Sequence, residues 1–264
     1  MSIAVGAGYH KMQPSSGDDE RIHAFWTIYT LSNCWDVALQ SSSSALFGLE
    51  GEDIETPWPG QFREQNTQGS SVQLFLHQVD AARNNSDSAQ TLFAKASVLF
   101  RMSAVIATRY MNRNERNQEE AARVSAMCAS HSTLVATFRS ALSRLPPGSH
   151  PMFGIALITL VLAHVSAIHL NTPLFGKDTT ITRQSLEAAQ ACVELFAQPD
   201  VEAYFRQSGN GARINPMWGC LWKSVSDVLG RNHEMYERIM RLMSECSGGS
   251  KLIRYQWGLA QQQT

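Results

Sequence analysis

The sequence predicts an all-α fold, a single multi-helix domain of eight or more helices with no significant sheet. Apolar residues recur at intervals of three and four along most of the 264 residues, no stretch alternates with period two for long, and Pro- or Gly-containing breaks separate the periodic stretches. With 44% apolar residues, a chain of this length buries a sizeable core. The balance of 22 basic against 23 acidic residues leaves a formal charge of −1, which is no footprint for tracking a phosphate backbone. Direct nucleic-acid contact is therefore not expected.

Taken in order, residues 1–13 carry Ile3, Val5, Ala7, Tyr9 and Met12 and read as a helix without a strong cap ahead of it. Pro14 to Asp19 is a loop, in which Asp18 or Asp19 caps the next helix and places negative charge at its positive end. That helix, Glu20 to about Gln40, presents Ile22, Phe25, Trp26 and Tyr29 at helical spacing and continues through Trp35 and Leu39. The run Ser41–Ser44 with Gly48 and Gly51 reads as loop or broken helix. Glu50, Glu52, Asp53 and Glu55 lack the alternating ligand order of a calcium loop and read as solvated. Pro57 and Pro59 restrict the residues before them, so the loop is stiff and lays Trp58 against the body.

Residues 60–70 read as a surface loop. Ser71–Arg83 is a short helix, Asn84 to Asp87 a polar turn, and Ser88 to about Met111 a strongly amphipathic helix. Glu115–Leu145 follows and is stopped by Pro146-Pro147-Gly148. Met152–Leu170 holds nineteen residues without Asp, Glu, Lys or Arg, long enough to span a bilayer. Because His164, Ser166 and His169 crowd its last third and no basic cluster flanks it, it is predicted to be a buried central helix, with no membrane involved. Thr182 caps a helix through Phe196, and Pro199 opens a short one through Phe205. Asn215 and Pro216 start another, Glu234–Cys246 forms the last, and residues 247–264 read as a C-terminal tail, mobile beyond Trp257.

The search for chemistry returns little. Cys34, Cys128, Cys192, Cys220 and Cys246 include no C-x-x-C pair, which argues against a disulfide framework or structural zinc and for a reducing compartment. The N-terminus lacks the pattern of a signal peptide. A nucleophile elbow and a phosphate loop are absent, Gly6-Ala7-Gly8 lacks the third glycine of a dinucleotide fingerprint, and His233-Glu234 lacks the second histidine of a zinc helix. Asp18-Asp19 resembles the magnesium-binding motif of terpene cyclases, but Ile22 stands where the third carboxylate would be. No catalytic residue and no metal ligand is nominated, and a cofactor-binding set stays unknown. His164 and His169, five apart, do not share a helical face. Trp26, Trp35, Trp58, Trp218 and Trp222 read as core, with a ligand pocket among them as the alternative.

Glu20-Arg21-Ile22-His23-Ala24-Phe25-Trp26-Thr27-Ile28-Tyr29, then Cys34-Trp35 and Ala38-Leu39, then Asp53-Ile54-Glu55-Thr56-Pro57-Trp58-Pro59 together resemble the signature of the fungal-specific transcription factor domain. This is the middle homology region of fungal binuclear-zinc-cluster regulators, also called the xylanolytic activator regulatory domain. Ala94 to Phe100, Ala107 to Tyr110 and Ile214 to Trp222 are similar to later helices of that family, so the likeness covers about residues 2–246. Ser32 departs from the family's aspartate, Gln40-Ser41 from its Leu-Gly turn, and the six-cysteine zinc cluster that reads DNA is missing.

The resemblance implies a regulatory domain over residues 1–246, truncated on its N-terminal side, in a nuclear regulator of transcription. Its partners would be proteins of the transcription machinery or a small-molecule effector, with room for a homodimer and with no cofactor in this chain. Without the resemblance, a cytoplasmic location is the default. The competing expectation is an α-helical small-molecule-binding protein or enzyme with its site among the tryptophans and His164 or His169.

Overall fold

The computed structural model describes residues 8–12, 19–39, 54–60, 71–78, 87–112, 118–142, 145–209, 214–230 and 233–262. Among them the chain forms ten α-helices and no strand, so the fold is all-α. In order these are α1 (Asp19–Ala38), α2 (Ser71–His77), α3 (Ala89–Asn112), α4 (Gln118–Ala141) and α5 (Phe153–Asn171). They continue with α6 (Thr179–Phe196), α7 (Pro199–Gly209), α8 (Met217–Leu229), α9 (Glu234–Cys246) and α10 (Lys251–Gln262). The serine run 41–44, the acidic residues Glu50, Glu52 and Asp53, the loop 61–70 and the turn Asn84–Ser86 lie outside the described residues.

The apolar helix α5 is the centre. It packs most extensively on α3 and also touches α4, α6 and α8, so partners on several sides explain its nearly uniform hydrophobicity. Leu157, Val161, Leu162, Ala163 and Val165 have no exposed surface at all. The helix α3 is also long and apolar enough to cross a membrane by length and composition, and in both helices 61% of the apolar window is buried within the fold. The rings of Phe196, Phe205, Trp218 and Trp222 interlock where α6, α7 and α8 meet, with Trp218 stacked on Trp222 at 5.9 Å.

At the other end, residues 54–60 are strapped down from four sides. Ile54 and Thr56 have no exposed surface. The Thr56 hydroxyl donates to the Tyr9 carbonyl at 2.7 Å and accepts from the Met12 N–H at 3.1 Å, while the amides of Glu55 and Thr56 both donate to the His10 carbonyl. The Trp26 indole on α1 donates to the Pro57 carbonyl at 2.6 Å and its ring stacks on Trp58 at 4.3 Å. Ser71, opening α2, donates its amide to Ile54 O and its hydroxyl to Thr56 O, and the hydroxyls of Thr91 and Ser88 at the start of α3 donate to the Pro59 carbonyl. The carbonyls of this proline-restricted loop take donors from α1, α2 and α3, while its Glu55 and Thr56 amides and the Thr56 hydroxyl donate to the N-terminal turn.

Beneath Trp58 lies an ion pair that is almost wholly buried. The Lys95 ammonium is 2.6 Å from the Asp87 carboxylate, with the two side chains 3% and 1% exposed. It sits 5.6 Å from the centre of the Trp58 ring and 5.4 Å from that of Phe75, so two aromatic faces add to its stabilisation.

Four expectations need correcting. The N-terminal helix is, within the described residues, only a 3-10 turn over Tyr9–Lys11: Gly8 enters it at φ 76 and Met12 leaves it extended, drawn to Thr56. Helix α6 starts at Thr179 rather than Thr182, because the Asp178 carboxylate caps it, accepting from the amides of Thr180 and Ile181. The tail expected to be mobile holds α10, with Ile253 fully buried and Ala260 nearly so. Gly219 on α8 allows that packing, since a Cβ there would stand 2.9 Å from the Ile253 Cα. Pro216, expected as the first residue of α8, stands just before it, and Asn215 Oδ1 accepts from the Met217 amide at 3.0 Å.

Candidate functional site

Among the described residues lies a large open groove of about 1130 Å³. Its walls are the end of α1, the second half of α3, the end of α5, and the facing sides of α8 and α10. Its rim carries Leu39, Met111 and Tyr255, which are 60%, 59% and 61% exposed and are the three most exposed large hydrophobic residues described. Apolar walls with a few polar groups on the floor are the usual make-up of a ligand site.

On the floor, His169 from α5 meets Ser224 from α8, with Nε2 2.9 Å from Oγ. The ring lies edge-on to Phe100, their centres 5.1 Å apart, and burial pushes its pKa down to about 4. The imidazole is therefore neutral at pH 7. This separation is that of a nucleophile and its base, but Ser224 Oγ also reaches the Cys220 carbonyl one turn back at 3.1 Å. A hydroxyl that donates there accepts from His169 Nε2–H, which makes the histidine a donor rather than a base. Ser224 is also interior to a helix whose amides are engaged, so no pair of backbone N–H groups converges on an oxyanion. The dyad holds α5 against α8.

Two ion pairs flank the floor. Lys223 donates to both carboxylate oxygens of Asp227, at 2.5 and 2.7 Å, and burial raises the Asp227 pKa while the lysine draws it back. Arg101 Nε stands 3.6 Å from Asp36 Oδ2, beyond hydrogen-bond reach, and burial raises the Asp36 pKa against the pull of that guanidinium. Cys220 also lines the groove, its thiol pushed up to about 11 by burial and so protonated at neutral pH. The groove thus offers neutral donors and acceptors, compensated charges and a broad apolar surface.

The structure separates the residues proposed as a single site. Trp26 and Trp58 belong to the aromatic cluster around the strapped loop, Trp218 and Trp222 to the one at α6–α8, and no described ring contact joins the two. Trp35 packs half-buried against the core. Of the two histidines only His169 reaches the groove. His164 faces Arg139 of α4, its Nδ1 and the Arg139 Nε are both buried without a hydrogen bond, and burial followed by that positive charge brings its pKa down to about 3. The sequence alone does not point to Asp36, Arg101, Lys223 and Ser224, which come from three helices, α1, α3 and α8. The i, i+4 spacing of Lys223 and Asp227 was the only local signal among them. No cluster of three or more metal-ligating side chains occurs among the described residues. Compared with protein families, with curated proteins and with solved structures, the chain finds no match.

Proposed function

We propose that the chain is the regulatory and interaction module of a fungal nuclear transcription factor, and that it responds to a small-molecule effector or a partner protein held in the groove between α1, α3, α8 and α10. DNA reading falls to a zinc cluster, which these 264 residues do not contain. One observation carries the reading. The stretches resembling the family signature are far apart in sequence, yet Trp26, Pro57, Trp58 and Lys95 from three of them form one contacting unit. Residues that recur together as a signature gain a common physical reason when they pack on one another.

The experiment is a reporter assay with the chain fused to an unrelated DNA-binding domain, alongside the same fusion carrying Val105→Trp to fill the groove. Expression should change with the wild-type fusion, and the substitution should abolish the change. A reporter indifferent to the wild-type chain would sink the proposal. The groove also favours the second reading, a small-molecule-binding protein or enzyme. A metabolite screen by thermal shift separates the two: stabilisation without turnover supports the sensor, and product formation supports the enzyme.

A further inference from the structure

The charges in the groove are already engaged. Lys223 donates to both oxygens of Asp227, Arg101 stands beside Asp36, and Arg109 also has an interaction of its own. A charge carried in by a ligand would lose its hydration without gaining a free partner. Two neutral polar groups are not engaged. Gln256 of α10 lines the groove and is only 8% exposed, yet its amide has no hydrogen-bond partner among the described residues. An amide more than nine-tenths buried normally has one. On the floor, His169 commits its Nε2–H to Ser224, so the neutral ring keeps an unprotonated Nδ1, again with no partner among the described residues. On the rim, the exposed Leu39, Met111 and Tyr255 offer apolar surface that the body of a ligand would take out of water.

Resting on the reading of the groove as an effector site, we infer that its ligand is an uncharged lipophilic alcohol, an apolar body headed by a hydroxyl that donates to His169 Nδ1 and accepts from the Gln256 amide. A hydroxyl is the smallest group that does both. A carboxylate only accepts, so it would set its lone pairs against that of Nδ1 and bring in a charge with no cation left to meet it. An ammonium only donates, and it would add a positive charge to a groove already lined by Arg101, Arg109 and Lys223. A hydrocarbon of the same size would cover the apolar walls and leave both polar groups as they are.

Isothermal titration calorimetry of the purified full chain with 1-decanol, decanoate and decylammonium at neutral pH varies the head group at constant chain length. 1-Decanol should bind at least about tenfold more tightly than either ion, since an unpaired charge entering the groove forfeits its hydration. Gln256→Leu should weaken 1-decanol by about fivefold, in line with the loss of one hydrogen bond. The thermal midpoint of that variant without ligand should stay unchanged, because the amide has no partner to lose. Val105→Trp, with unchanged circular dichroism, should abolish binding and so place the alcohol in the groove. No binding of 1-decanol, equal or tighter binding of decanoate or decylammonium, or 1-decanol binding indifferent to Gln256→Leu would overturn the inference. The purified chain separates this result from the transcriptional reading. A reporter that ignores the chain would sink that reading while a preference for 1-decanol still supports this one, and a responsive reporter with decanoate bound as tightly as 1-decanol would overturn this one alone.

Discussion

Neutralising either member of the Lys95–Asp87 pair tests how the strapped loop is held. At 2.6 Å, with side chains 3% and 1% exposed, neither charge has water to fall back on. Lys95→Met leaves a buried carboxylate, and Asp87→Asn leaves a buried ammonium beside Trp58 and Phe75. Each single substitution should cost about 3–5 kcal/mol, because the remaining charge keeps its desolvation penalty after the attraction of the other is gone. The double variant removes both charges and should be less destabilised than the sum of the singles by at least about 2 kcal/mol. Urea titrations of the four proteins, followed by tryptophan fluorescence, supply the cycle, and equal slopes would show that the unfolding reaction has not changed. If the singles each cost under about 1 kcal/mol and added within about 0.5 kcal/mol, the pair would be behaving as a solvated surface bridge and the reasoning would fail.

Acid should destabilise the protein before its carboxylates titrate. His131 and His169 are brought to about 4 and His164 to about 3, chiefly by burial, so the unfolded chain binds more protons below its own value near 6.5. Stability is then full above pH 6.5 and declines as pH falls from 6.5 towards 4. The thermal midpoint should track that decline, and His131→Asn should flatten it by about 3 kcal/mol across the window. Gly219→Ala should unseat α10 at a cost of about 1–3 kcal/mol, because the added carbon meets the Ile253 backbone at 2.9 Å; protease should then release the C-terminal segment from the folded remainder. Asp178→Ala removes the acceptor for two amides and should cost about 1 kcal/mol in denaturant titration. A fluorophosphonate probe should leave Ser224 unlabelled, since its hydroxyl is engaged with the Cys220 carbonyl.

The helices were legible where one periodic face meets one neighbour. Glu234–Cys246 was read with its observed limits, and the apolar run after Met152 was placed at the centre where α5 lies. The last helix is masked in the sequence because Gly248-Gly249 and the terminal glutamines outweigh a shorter signal: Ile253, Gln256, Trp257 and Ala260 recur at three, one and three, and three of the four are buried. Lys95 is hidden in the sequence for a different reason. A lysine scores as solvent, and only its position on the apolar face of α3 with Asp87 eight residues earlier shows that it turns inward. The groove could not be read at all, being assembled from parts of five helices whose separations in sequence carry no common period. Of the residues in the stretches that carry the family likeness, Trp26 and Trp58 lie in the scaffold, whereas Ala38, Leu39, Phe100, Ala107, Thr108, Arg109 and Cys220 line the groove.

The two aromatic clusters differ in how the chain reaches them. Most of the rings around the strapped loop come from Phe25 to Phe75, and those at the other end lie mainly between Phe196 and Trp222. Each half therefore gathers most of its rings from its own stretch of chain, so loop closure within a half costs less entropy than joining the two halves across α5.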